Sequence, residues 1–206
     1  MDQCCTDKAD VLDKLRERQA GTLRIVLILN AVMFAVEMVS GIMAGSLALV
    51  ADSLDMLGDA LVYGFSLYAV GRALIWKVRA ALSKAAIMAL FGAFVLCELV
   101  YKLVFHPLPA YETMGLVGAL ALLVNTTCFF ILWKHRAEDI NMRSVWLCSN
   151  NDLVANVCVL LASWAVKRFQ SPWPDIVVGG IICAIFLRSA IVVTIEARDQ
   201  LRETRA

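Results

Sequence analysis

Six long apolar runs, joined by short polar links, leave this chain few ways to fold. They span approximately 22–44, 46–71, 84–105, 112–133, 144–166 and 174–195. Each is close to the ~20 residues that a helix needs to cross a hydrocarbon core of ~30 Å. Open backbone cannot face lipid, and no run shows the period-two alternation of a membrane barrel, so the runs are expected to be helices. The chain is 61% hydrophobic and 18% charged, whereas a soluble domain carries about 45–50% and about 25%. The expected fold is all-α, an integral membrane bundle of six transmembrane helices.

The punctuation agrees. Pro107, Pro109, Pro172 and Pro174 are all the prolines in the chain, and each falls between runs. Gly45 and Ser46 make an abrupt link between the first two runs, with Ser46 a candidate helix cap. Basic residues then orient the bundle. Lys8, Lys14, Arg16, Arg18, Arg24, Arg72, Lys77, Arg79, Lys84, Lys134, Arg136, Arg143, Arg188, Arg198, Arg202 and Arg205 fall on one side. Lys102, Lys167 and Arg168 fall on the other. Both termini are therefore expected to be cytoplasmic.

The expected organisation is an N-terminal arm (1–20), a six-helix transmembrane domain (21–197) and a short tail (198–206). The arm lacks the apolar stretch of a cleavable signal. It reads either as a short amphipathic helix on the membrane surface, through Val11, Leu12 and Leu15, or as a solvated charged segment. Cys97, Cys128, Cys148, Cys158 and Cys183 lie inside apolar runs, where cysteine acts as a small hydrophobe. Cys4 and Cys5 read as free thiols of the arm, with capture of soft metal ions as the alternative. Trp76, Trp133, Trp164 and Trp173 lie near run ends, as interface anchors do. A formal net charge of +1 gives no ground for a nucleic-acid partner.

Ionisable residues deep in a span are costly and point to function. The second run places Asp52, Asp55 and Asp59 on one helical stripe, with no basic residue before Arg72. Three ionised carboxylates there would repel one another, so a cation, protons or both must compensate. In the fifth run Cys148 and Asp152 stand four apart, and Asn156 extends the row by a turn. Two helices each offering an i, i+4 pair could supply four ligands to one ion. One thiolate with three carboxylates suits zinc, cadmium, cobalt or iron(II) better than magnesium or calcium. Taken alone, Cys148 is better explained as a buried apolar thiol than as a ligand. Its register with Asp152 raises the metal reading.

The stretches GSLALVADSLDMLGDALVYGFSLYAVGR, WLCSNNDLVANVCVLLA and PWPDIVVGGIICAIFLRSA resemble the cation diffusion facilitator family over roughly residues 22–200. The resemblance implies a multi-pass protein, in bacteria of the inner membrane, that exchanges cytoplasmic Zn²⁺ or a related divalent ion for protons. It implies no permanent cofactor and no enzymatic step. Asp55 and Asp59 match one ligand pair of the family, and Asp152 matches the second position of the other pair. Cys148 stands where the family usually has His, which bears on metal preference. The family's cytoplasmic domain after the sixth helix has no counterpart before the chain stops at EARDQLRETRA, and its His-rich link is reduced to His135. Any homodimer is therefore expected to pair through membrane helices.

Other polar residues admit structural readings. Glu37 shares a face with Asn30 and is expected to make an interhelix hydrogen bond, or else to line the ion path with Asp52 and Asn156. Glu98 and Lys102 are expected to neutralise each other, and Asp175 to complement the start of its own helix. An intramembrane aspartyl protease or a head-group transferase would need flanking motifs that are absent from the sequence. A membrane metal binder, sensor or accessory subunit that does not transport is the main rival.

Overall fold

A computed structural model of the chain forms the expected bundle. It describes the backbone of residues 3–69, 74–135 and 140–203, with most side chains in 21–64, 86–133 and 152–188. Among these residues there are six helices and no strand. They are α1 (Gln3–Ala44), α2 (Leu47–Ala69), α3 (Leu74–Phe105), α4 (Tyr111–His135), α5 (Ile140–Phe169) and α6 (Trp173–Glu203). Several helices outrun the apolar segments: α1 begins in the N-terminal arm, α3 begins well before residue 84, and α6 continues past residue 195. Hydropathy marks only the part of a helix that meets lipid. The charged flanks are good helix formers and continue the same backbone ladder.

The polarity is that of a membrane protein. Ile25, Ile28, Val32, Val39 and Ile42 stand outward from α1, each more than half exposed, while Asn30 and Glu37 are buried on its inner face. A soluble fold would invert this arrangement. Among the described residues, 24–44, 86–105 and 111–131 are long and apolar enough to span a membrane by length and composition. Trp133, Trp164 and Trp173 are exposed near helix ends, where amphipathic rings suit the interface.

The α1–α2, α3–α4 and α5–α6 turns share one end of the bundle, hereafter the turn end. Two of these turns hold a non-glycine residue at positive φ, His106 (51°) and Gln170 (50°); the third holds Gly45 (60°). At Gly45 the closure is a Schellman motif: Ser46 N–H donates to Gly41 O at 2.9 Å and Gly45 N–H to Ile42 O at 3.1 Å. At the other two a single bond closes the last turn, from His106 N–H to Lys102 O (2.9 Å) and from Gln170 N–H to Val166 O (2.8 Å). Proline follows within two residues in both, so neither helix can continue.

Helix α2 is the centre of the bundle, packing against α1, α3, α5 and α6. Its Leu47, Leu49, Leu54 and Met56 are among the largest fully buried side chains. Two glycines permit this closeness. A Cβ on Gly41 would lie 3.0 Å from Val50 N, and one on Gly179 would lie 2.7 Å from the Leu47 carbonyl carbon. Thus α1 and α6 both meet α2 backbone to backbone.

The start of α2 is satisfied from another helix. Asp175 takes the Ser46 hydroxyl at 2.7 Å, Leu47 N–H at 2.8 Å and Ala48 N–H at 3.0 Å. Leu49 N–H donates to Ser46 Oγ at 3.2 Å, so Ser46 is the expected cap. Asp175 therefore sits in the first turn of α6, as expected, and in addition serves the N-terminus of α2. Lys102 is reassigned. Its ammonium lies 3.5 Å from Asp175 Oδ2 and donates to Gly45 O, instead of pairing with Glu98. Both side chains are buried, and an ion pair away from water holds where the one at the exposed helix surface would be screened.

Candidate metal centre

Below the turn end, α2 directs a row of carboxylates into the bundle. Asp52 is fully buried, and Asp55 and Asp59 are half-buried on the same stripe. Across the α2–α5 contact, the Asp152 carboxyl hydrogen-bonds to that of Asp59 and also feels the charges of Asp55 and Asp52. Two carboxyls can share a hydrogen bond only with a proton between them. A divalent cation bridging the same oxygens would displace that proton.

Two of the four expected ligands, Asp59 and Asp152, thus meet across two helices, with Asp55 one turn along α2. Cys148 lies on α5 one turn before Asp152, and its side chain is outside the described residues. Among the described residues, no three His, Cys, Asp or Glu side chains are grouped closely enough to hold an ion. Asn156 is fully buried and donates from Nδ2 to Asp152 O at 2.7 Å, leaving its Oδ1 without a hydrogen-bond partner among the described residues.

Glu37 differs from expectation. It is fully buried, and neither of its oxygens has a hydrogen-bond partner among the described residues, so the expected interhelix bond is not made. The cause is the company it keeps: its neighbours on α2 are carboxylates, which offer no donor when ionised. Asn30 turns to its own helix, donating to Val26 O at 2.9 Å, with Cys128 Sγ of α4 at 4.0 Å. Asn125 of α4 was not singled out from the sequence, yet it is buried with its Nδ2 unpartnered among the described residues. An amide in the otherwise apolar run before Thr126 and Thr127 was the available signal.

Cys97, Cys128, Cys158 and Cys183 are free thiols. Cys4 and Cys5 lie in the arm, and their side chains, like that of Trp76, are outside the described residues.

The chain is similar to known proteins along most of its length. Residues 23–201 match the cation efflux transmembrane domain. The chain is 29% identical over 197 residues to the zinc transporter ZitB of Yersinia pestis, covering 88% of this chain and 62% of that protein. It is 24% identical over 166 residues to the metal cation efflux system protein CzcD of Cupriavidus metallidurans, covering 75% and 52%. It is 23% identical over 201 residues to a cadmium, cobalt and zinc/H(+)-K(+) antiporter of Bacillus subtilis, covering 89% and 65%. The chain thus spans between half and two thirds of the length of these relatives.

Proposed function

Since the chain belongs to the cation efflux family, a group of multi-pass membrane proteins whose bacterial relatives place it in the plasma membrane, we propose that it exports a divalent metal ion by alternating access. The observation that carries the reading is the Asp59–Asp152 hydrogen bond between α2 and α5, with Asp55 and Asp52 in electrostatic reach. Acidic groups from two helices meet inside the membrane, where an ionised carboxylate costs several kcal/mol unless a cation accompanies it.

Asp55, Asp59, Asp152 and Cys148 are the proposed ligands. Zinc is the first candidate, because relatives are named for zinc, cadmium and cobalt and because thiolate with carboxylate suits those ions. The ligands bind deprotonated. Loading from the cytoplasm therefore releases protons, the Asp59–Asp152 proton among them. After the bundle rocks, returning protons compete the metal off on the outer side. Inward proton flow supplies about 2.3 kcal/mol per charge per 100 mV. The turn end is proposed as the outer face, with both termini cytoplasmic and pairing of two copies, where it occurs, through membrane helices.

The test is zinc flux into liposomes carrying the chain, read with a lumenal metal dye and a lumenal pH dye. Metal addition should drive opposed metal and proton signals, and Asp59→Ala should abolish both. Unchanged flux in Asp59→Ala would overturn the assignment. Metal binding without flux in the unsubstituted chain would favour a non-transporting binder.

A further inference from the structure

Glu37 and Asp52 are not needed as metal ligands, yet both are fully buried and, unlike the equally buried Asp175, have no hydrogen-bond partner among the described residues. We propose that they form a separate counter-cation site, one that takes up positive charge as the metal leaves. This rests on the export reading above and adds to the protons of the ligands themselves a second position where exchanged positive charge binds.

The register of the α1–α2 hairpin brings the two together. Gly41 stands against Val50, and Ser53 Oγ contacts Met38 Sδ at 4.0 Å. In an antiparallel hairpin so aligned, Glu37 and Asp52 sit within about two residues of the same level, or ~3 Å along the axis. Asp52 is three residues nearer the turn end than Asp55, ~4.5 Å, so the pair lies between the proposed ligands and that end.

None of the four oxygens of this pair has a hydrogen-bond partner among the described residues. The charged groups in reach of the pair are of the wrong kind to neutralise it: Glu37 feels Asp55 of α2 and Asp152 of α5, and Asp52 feels Asp55. The buried cation of α3, Lys102, is held at the turn end by Asp175 and Gly45 O. Two buried carboxylates without a donor need a small cation, and a proton or an alkali ion fits hard oxygen ligands equally.

Coupling to the metal follows from charge. Glu37 feels Asp52, Asp55 and Asp152, so the two positions share one field. A cation on the Glu37–Asp52 pair weakens the hold of Asp55 and Asp152 on the metal, and metal binding weakens the hold on the counter-cation by the same factor. Exchange needs only that reciprocity, with the bundle's motion deciding which side each cation leaves by.

The experiment compares the unsubstituted chain with Glu37→Gln and Asp52→Asn. Zinc binding is measured by calorimetry in detergent, and zinc flux in liposomes under a pH gradient or, in a separate arm, a potassium gradient. In the unsubstituted chain the productive gradient should raise flux about tenfold, and the arm that responds identifies the cation as proton or alkali ion. Each variant removes a charge that a bound cation would neutralise, so both should still bind zinc, within about tenfold of the unsubstituted chain, while flux loses most of its dependence on the productive gradient. Both should also unfold at no lower temperature than the unsubstituted chain, since no hydrogen bond among the described residues is lost. Undiminished gradient dependence in both variants overturns the proposal. So does a loss of zinc binding, which would make the pair part of the metal position, or destabilisation of both variants, which would make the pair structural. An unsubstituted chain that neither binds nor moves zinc overturns the export reading itself, a different result from any of these.

Discussion

Replacing Asp175 should be more damaging than replacing its partner Lys102, and the structure gives the size of the difference. In Asp175→Asn, Lys102 loses its counter-charge while only 3% exposed. Breaking a buried pair in this way costs about 3–5 kcal/mol. The amide also turns one donor toward Leu47 N–H or Ala48 N–H, and an unsatisfied backbone donor adds about 1–3 kcal/mol. In Lys102→Met the remaining carboxylate keeps the Ser46 hydroxyl, two backbone N–H donors and the positive end of α2. Such an N-terminal position alone favours an anion by up to ~2 kcal/mol. Asp175→Asn should therefore destabilise the protein by about 2 kcal/mol or more beyond Lys102→Met. The double variant should fall short of the sum of the two, because it leaves no buried charge behind. Reversible unfolding in mixed detergent and SDS micelles measures all three. Equal costs, a reversed order or simple additivity would refute the assignment of Asp175 as the acceptor that anchors α2.

Three further outcomes are expected. Asp59→Asn should weaken zinc binding at least about tenfold, because it removes a ligand charge and leaves Asp152 facing an amide, as titration calorimetry would read. Zinc affinity should rise with pH, since ligands must shed protons to bind; the slope of log affinity against pH counts the protons released, and a flat profile would exclude the shared Asp59–Asp152 proton. Gly179→Ala should destabilise by about 1–3 kcal/mol, because the added methyl meets backbone of Leu47 and Ala48. Gly92→Ala should cost markedly less despite a 2.6 Å contact, because that contact is the movable end of the Leu187 side chain.

Much of the fold was legible in the sequence for one physical reason. Lipid demands about twenty apolar residues per crossing, so each span announces itself locally. The turns were legible too, because Pro107, Pro172 and Gly45 forbid or favour particular backbone angles whatever surrounds them. Helix ends beyond the lipid were not, since charged helix formers such as those preceding Ile87 carry no hydropathy signal. The acidic stripe of α2 was readable because i, i+3 and i+7 share a face in any helix.

Partners across helices were decided only in three dimensions. Sequence spacing offered Lys102 a carboxylate at Glu98, one turn away, but the fold brings Asp175 of α6 to it instead. The same carboxylate, besides standing at the start of its own helix, caps α2, a contact spanning well over a hundred residues of chain. Glu37 looked like half of an interhelix hydrogen bond until packing surrounded it with other acids. Periodicity states which way a side chain points along its own helix. Only the packing of α1, α3, α5 and α6 around α2 states what it meets there, because those neighbours are set by glycine contacts and helix register, which leave no local trace.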